Sequence, residues 1–153
     1  MPKIEERIEI SAPSSEVFRY AHDVEARPEW DTRVVRVELL SPPPVRSGTL
    51  FRADAARGGQ YSFSWDGEYS AFHFPSGSAI RVLDAAPSSP WGRGSTETWD
   101  FSSSGGATRF SITWEYTARG FVNRVLDALG GRAQIRRSIR RSLTNIKAQI
   151  ERR

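Results

Sequence analysis

At Gly120 the hydrophobic pattern of the chain changes period, and that change limits what the chain can fold into. Before it, apolar and polar residues alternate in short runs separated by Gly, Pro and Ser. After it, Phe121, Val125, Leu129, Ile135, Ile139, Leu143, Ile146 and Ile150 fall on one helical stripe, with Arg137, Arg141 and Thr144 on the opposite side. A long amphipathic helix must cover something, and the preceding strands are the only surface the chain supplies. Gly130-Gly131 interrupts the helix at a cost of about 1 kcal/mol per glycine relative to alanine.

The alternating part reads as seven strands with a helical insertion. Ile4 to Ser11 puts Ile4, Ile8 and Ile10 on one face. Ser11-Ala12-Pro13-Ser14-Ser15 then carries helix-start chemistry, followed by Val17, Phe18 and Ala21 at helical spacing, and a second short helix around Pro28 and Trp30. The remaining strands are expected over 33–40, 49–55, 60–72, 78–85, 95–102 and 107–118. Prolines 42–44 end the first of these, and Asp66-Gly67 reads as a bulge in the long 60–72 strand. The expected architecture is α+β: a curved seven-stranded antiparallel sheet around a long C-terminal helix, with two short helices after the first strand, all in one domain over 1–153.

Several function classes fall away on composition. The chain has no cysteine, which removes disulfides and thiolate metal sites. No apolar run reaches the roughly 18 residues of a membrane span, and the charged start Lys3-Ile4-Glu5-Glu6-Arg7 does not resemble an export signal, so a cytoplasmic location is expected. The net charge of +4 is uneven: from Arg119 onward ten Lys/Arg face two Asp/Glu, while the rest of the chain is net acidic. With no aromatics interleaved among those arginines, nucleic acid is not an expected partner. The basic helix reads first as a solvated face. Weak electrostatic contact with an anionic membrane is the next reading, salt-sensitive because the apolar stripe is needed to cover the sheet.

The order of elements and several short patterns resemble the helix-grip superfamily of START domains, pollen-allergen-type binders and polyketide cyclase/dehydrase proteins. The residues that carry the resemblance are Ile8-Glu9-Ile10-Ser11-Ala12-Pro13 with Glu16-Val17-Phe18, then Asp23 and Pro28-Glu29-Trp30-Asp31. Glu97-Thr98-Trp99-Asp100-Phe101, Gly105-Gly106-Ala107-Thr108-Arg109 and the closing arginine-rich helix add to it. The resemblance implies an internal cavity for an apolar or aromatic small molecule. Some relatives are cyclases or aromatases and others bind lipids or quinones, so fold alone does not decide activity.

Strand parity places Phe110, Ile112, Trp114 and Tyr116 on the face toward the helix, and Phe63, Trp65 and Tyr69 join them. With Trp30, Trp99, Phe101, Val125 and Leu129 they form the expected ligand wall, though buried aromatics also serve simply as packing. Glu97 shares the inward face of Trp99 and Phe101, where a carboxylate needs a partner. Arg81 on the preceding strand is one candidate. Arg132 is another if the helix runs unbroken through the glycine pair; if the glycines reset its phase, Arg132 turns to solvent. Glu97, Arg81 and Arg132 are thus the weak catalytic candidates, as an acid/base pair or as orienting groups. His22 and His73 have no partners at metal spacing and are expected to be structural or superficial; no metal and no cofactor is expected. Binding of an apolar or aromatic molecule is the first expectation, a polyketide cyclase or dehydratase activity the second, and an interaction module working through the basic helix the third.

Overall fold

A computed structural model describes residues 2–153. Seven strands form one antiparallel sheet in the order β1-β7-β6-β5-β4-β3-β2. They are β1 (Lys3–Ile10), β2 (Val34–Leu39), β3 (Leu50–Arg57), β4 (Gln60–His73), β5 (Gly77–Ala85), β6 (Thr96–Ser104) and β7 (Ala107–Glu115). Helices α1 (Ser14–Ala21) and α2 (Arg27–Trp30) separate β1 from β2. After β7 come α3 (Gly120–Leu126), a kinked turn (Asp127–Gly131) and α4 (Arg132–Glu151). This is the helix-grip arrangement expected from the change of period.

The parity argument holds strand by strand. On β7, Phe110, Ile112 and Trp114 are buried on one face, and Tyr116 beyond the strand's end continues the series. On β1, Ile4 and Ile10 are buried and Ile8 packs against them. The pairing register between β4 and β5 shifts at Asp66/Gly67, the expected bulge, and again between Tyr69 and Ala71. The second shift changes the inward parity, so that Phe72 packs with Tyr69 in the core. Gly67 has a packing reason to be glycine: a Cβ there would come within 2.6 Å of Phe51 Cζ and 2.9 Å of Trp65 Cζ3.

The closing helix departs from the expected stripe in its first half. Ile139, Leu143, Ile146 and Ile150 of α4 are buried against the sheet. Phe121, Val122, Leu126 and Leu129 instead lie exposed, at 73%, 68%, 57% and 79%. Gly130 separates the two halves, with a φ of 145° that L side chains rarely adopt. Past that kink, α3 no longer continues the face that α4 buries. The glycine pair therefore breaks the stripe rather than merely weakening the helix.

Much of the basic character of α4 is used inside the fold. Arg136 Nη1 and Arg140 Nε both donate to Glu6 Oε1 on β1, at 2.7 and 2.9 Å. Lys147 Nζ donates to the Glu9 carbonyl at 2.8 Å and to Glu151 Oε2 at 2.7 Å. Such pairs are partly exposed and individually weak, but together they align α4 along β1.

Candidate functional site

Between the concave face of the sheet and the α3–α4 segment lies a cavity of about 1070 Å³. Its wall is built from alternate residues of neighbouring strands: Phe51 on β3, Phe63, Trp65 and Tyr69 on β4, Trp99 on β6, and Trp114 and Tyr116 at the end of β7. Trp91, in the β5–β6 loop, stands edge-on to both Phe63 and Trp114, with ring centroids 5.0 and 5.4 Å apart. Offset and edge contacts of this kind are the favoured aromatic geometries. Leu126, Leu129 and Gly130 close the helical side.

A charged cluster occupies one side of the cavity. Asp31, fully buried just after α2, accepts from Arg27 Nε at 2.7 Å, from Arg33 Nε at 3.0 Å and from Ser142 Oγ of α4 at 3.2 Å. Burial alone pushes the Asp31 carboxyl up, but the charges and hydrogen bonds of Arg33 and Arg27 outweigh it and hold it well below the usual carboxylate range. Arg33 Nη1 also bonds Glu97 Oε1, and Nη2 reaches Glu97 Oε2 at 3.3 Å. Trp99 Nε1 donates to Glu97 Oε2 at 2.7 Å. Burial works against the Arg33 cation, yet Asp31 and Glu97 together hold its pKa above the ordinary arginine value. In the sheet order three strands stand between β6, which carries Glu97, and β2, which Arg33 precedes, so their pair spans the curl of the sheet.

A third carboxylate is spent at the helical end. Asp127, buried in the kinked turn, accepts from the Tyr116 hydroxyl and from Arg132 Nη2 at 2.9 Å. Burial, and then the Asp127 contact, push the Tyr116 phenol up to about 12.

Tyr69 is different. Its side chain is buried, with 3% of the residue exposed, and it lines the cavity, yet its hydroxyl has no hydrogen-bond partner among the described residues. Burial raises its pKa, so it stands as a neutral phenol with a proton to donate. Behind the wall, His22 is boxed by aromatic rings, including Phe18 at 4.1 Å and Trp99 at 5.1 Å. Its Nδ1 donates to the Phe18 carbonyl at 2.7 Å, leaving Nε2 to accept from Ser78 Oγ at 2.7 Å. Burial pulls its pKa down to about 4, which keeps it neutral. That is a structural role.

Phe63, Trp65, Tyr69, Glu97, Trp99, Trp114 and Tyr116 line the cavity, as the parity reading expected, and Leu129 of the helical stripe lines it too. Five other expectations need correction. Trp30 is fully buried beneath the wall, 5.6 Å from Trp99 and 6.1 Å from Phe110, and its indole N–H has no partner among the described residues. Phe101 stacks on Phe110 at 4.5 Å in the core. Val125 points outward with the exposed half of the stripe. Arg81 pairs in register with Thr96 while its neighbour Ile80 faces Glu97, so parity sends Arg81 outside, where it meets Glu68 at 2.8 Å. Arg132 is turned by the glycine kink to the surface and binds Asp127. The cation that Glu97 needs is Arg33, which sequence reasoning missed. Arg33 opens the strand expected over 33–40, but the observed strand begins at Val34 and shifts register between Val34 and Arg36, so alternation fixed no face for it. The available signal was the charge-dense run Arg27 to Arg33 around a buried tryptophan.

Among the described residues, no group of three or more His, Asp or Glu is placed to hold a metal ion. No described helix is long and apolar enough to cross a membrane.

Comparison with known proteins places this geometry. The structure is similar to that of TTHA0849 from Thermus thermophilus, with a TM-score of 0.79, 19% identity and 97% of each chain covered. It is similar to the Zhui aromatase/cyclase from Streptomyces sp. R1128, with a TM-score of 0.77 and 17% identity over 99% of this chain and 94% of that one. It also matches the di-domain ARO/CYC StfQ from the steffimycin biosynthetic pathway, with a TM-score of 0.74 and 15% identity over 95% of this chain and 49% of that one. Identities this low speak to fold alone. No curated protein matches the chain. The family model described as "Polyketide cyclase / dehydrase and lipid transport" matches residues 1–151, and the chain belongs to that family.

Proposed function

We propose that this protein binds an elongated or fused-ring apolar molecule that carries a carbonyl or hydroxyl group at one position along its length. The observation behind this reading is an aromatic-walled cavity lined by Tyr69, whose hydroxyl has no hydrogen-bond partner among the described residues. A phenol that lines a cavity and bonds to no protein group is free to donate to a ligand oxygen. Pockets for small molecules usually enclose about 300–1,000 Å³, so about 1070 Å³ suits several rings or a long chain better than a single ring.

The carboxylates favour holding over transforming. Asp31, Glu97 and Asp127 each already accept from at least two donors of the protein. A base must be within reach of the proton it removes, and these three are committed elsewhere. The second reading is a cyclase or aromatase activity on a polyketide-like chain, supported by the family and by the two aromatase/cyclase neighbours. On that reading the cavity acts mainly by folding the chain so that its reacting atoms approach.

Binding is measured by quenching of tryptophan fluorescence with fused-ring hydroxyquinones. Tyr69→Phe, which removes only the hydroxyl, is expected to weaken binding about fivefold to tenfold, as loss of one hydrogen bond does. Full affinity in Tyr69→Phe, or no binding to the wild type, would remove the proposal. Conversion of a linear poly-carbonyl chain to a cyclised product decides for the second reading.

A further inference from the structure

The exposed half of the C-terminal stripe needs an occupant. Phe121, Val122, Leu126 and Leu129 fall at spacings that put them on one side of α3 and its following turn, and all four are more than half exposed. In an antiparallel meander, alternate turns lie at the same end of the sheet. The β3–β4 turn, the β5–β6 loop and the β7–α3 connection therefore share an end, and Trp91 pairs with Ala118 there. The cavity opens among these segments: Arg57, Gly58, Gly59, Pro90, Leu126 and Leu129 all line it. The apolar stripe thus rims the mouth.

The connecting segments at this end are basic. The β3–β4 turn, the β5–β6 loop and the segment 116–126 contain Arg93, Arg119 and Arg124 and no carboxylate, while on the strand ends beside them Arg57 stands with Asp84 and Glu115. Asp127 in the next turn is buried and already bound to Arg132. Exposed apolar groups flanked by cations match the two parts of an anionic bilayer, the acyl region and the headgroups. A folded protein partner is a poorer match. A seven-residue helix is only about 10 Å long, small beside the roughly 800 Å² that each side of a stable protein interface contributes.

We propose that this end of the molecule docks on an anionic lipid surface, with Phe121, Val122, Leu126 and Leu129 inserted and the cavity mouth facing the bilayer. The surface stands apart from the identity of the ligand, because Phe121 and Val122 do not line the cavity. It differs from the expectation of a purely electrostatic, salt-sensitive contact. That expectation assumed the whole apolar stripe was occupied by the sheet, and half of it is not.

The test is flotation with vesicles of phosphatidylcholine, with and without phosphatidylglycerol. Wild-type protein is expected to float with the phosphatidylglycerol vesicles and to stay partly bound at about 0.5 M salt, where surface charges are screened. Phe121→Ser/Val122→Ser is expected to lose about tenfold in vesicle affinity while keeping its thermal midpoint and its quenching by hydroxyquinones. Arg124→Glu is expected to weaken binding at low salt only. Failure of the wild type to float overturns the proposal, as does an unchanged affinity in the double variant. A dimer in sedimentation that the double variant abolishes also overturns it, in favour of a second copy as the occupant.

Discussion

Arg33 is the residue on which the site depends. One guanidinium holds two buried carboxylates, Asp31 and Glu97, and through Glu97 it fixes the Trp99 indole. Removing one partner of a buried ion pair typically costs about 3–5 kcal/mol, because the other charge is left without compensation. Arg33→Met is therefore expected to lower the unfolding free energy by about that amount, read from urea melts. Adding Glu97→Gln to it should cost less than the sum of the two single changes, since the shared contact is lost only once. Strict additivity would separate the two residues. Glu97 was legible as an inward carboxylate from the alternation of Glu97, Trp99 and Phe101. Its partner was not, because contact between residues 64 positions apart depends on how far the sheet curls, and no local pattern records curvature.

At the scale of elements, legibility followed the number of residues that repeat a pattern. β4, β6 and β7 alternate over most of their length, and all seven strands appear within a few residues of their expected bounds. Parity put seven of the expected wall residues on the cavity face, because β7, β6 and β4 each have one unambiguous apolar face. The C-terminal stripe misled because its period continues through Gly130-Gly131 while the backbone does not. A single positive φ sends the same apolar spacing to the core on one side and to solvent on the other. Gly130→Ala puts an L side chain at that φ, a strain of about 1–3 kcal/mol. It is expected to speed amide hydrogen exchange across Gly120–Gly131 and to leave exchange in β6 and β7 unchanged. Unchanged exchange in α3 would show that the kink carries no strain.

For the whole molecule, acid is the sensitive direction. His22 titrates near 6.5 when unfolded and near 4 when folded. As pH falls, the unfolded chain takes up the proton first, so stability declines between about 6.5 and 4, by about 3 kcal/mol in all. Asp31 is shifted the other way relative to its charged form: its ion pairs stabilise the fold above its ordinary value of 3.8, and that contribution is lost below it. The midpoint of thermal unfolding is thus expected to fall steadily from neutral pH to 4 and more steeply beyond. His22→Asn should flatten the upper part of the curve and leave the lower part. An unaltered slope from 6.5 to 4 would assign the acid sensitivity to other groups.

The pairing of α4 with β1 also has a mechanical side. Lys147 and the buried Ile150 secure its far end, while its near end meets the kink at Gly130 and the exposed α3. A helix of 20 residues is about 30 Å long. Pivoting about its secured end, a tilt of about 10° swings the other end by about 5 Å. Any tilt about that end would strain the Arg136 and Arg140 contacts to Glu6 first and would be widest where the cavity opens.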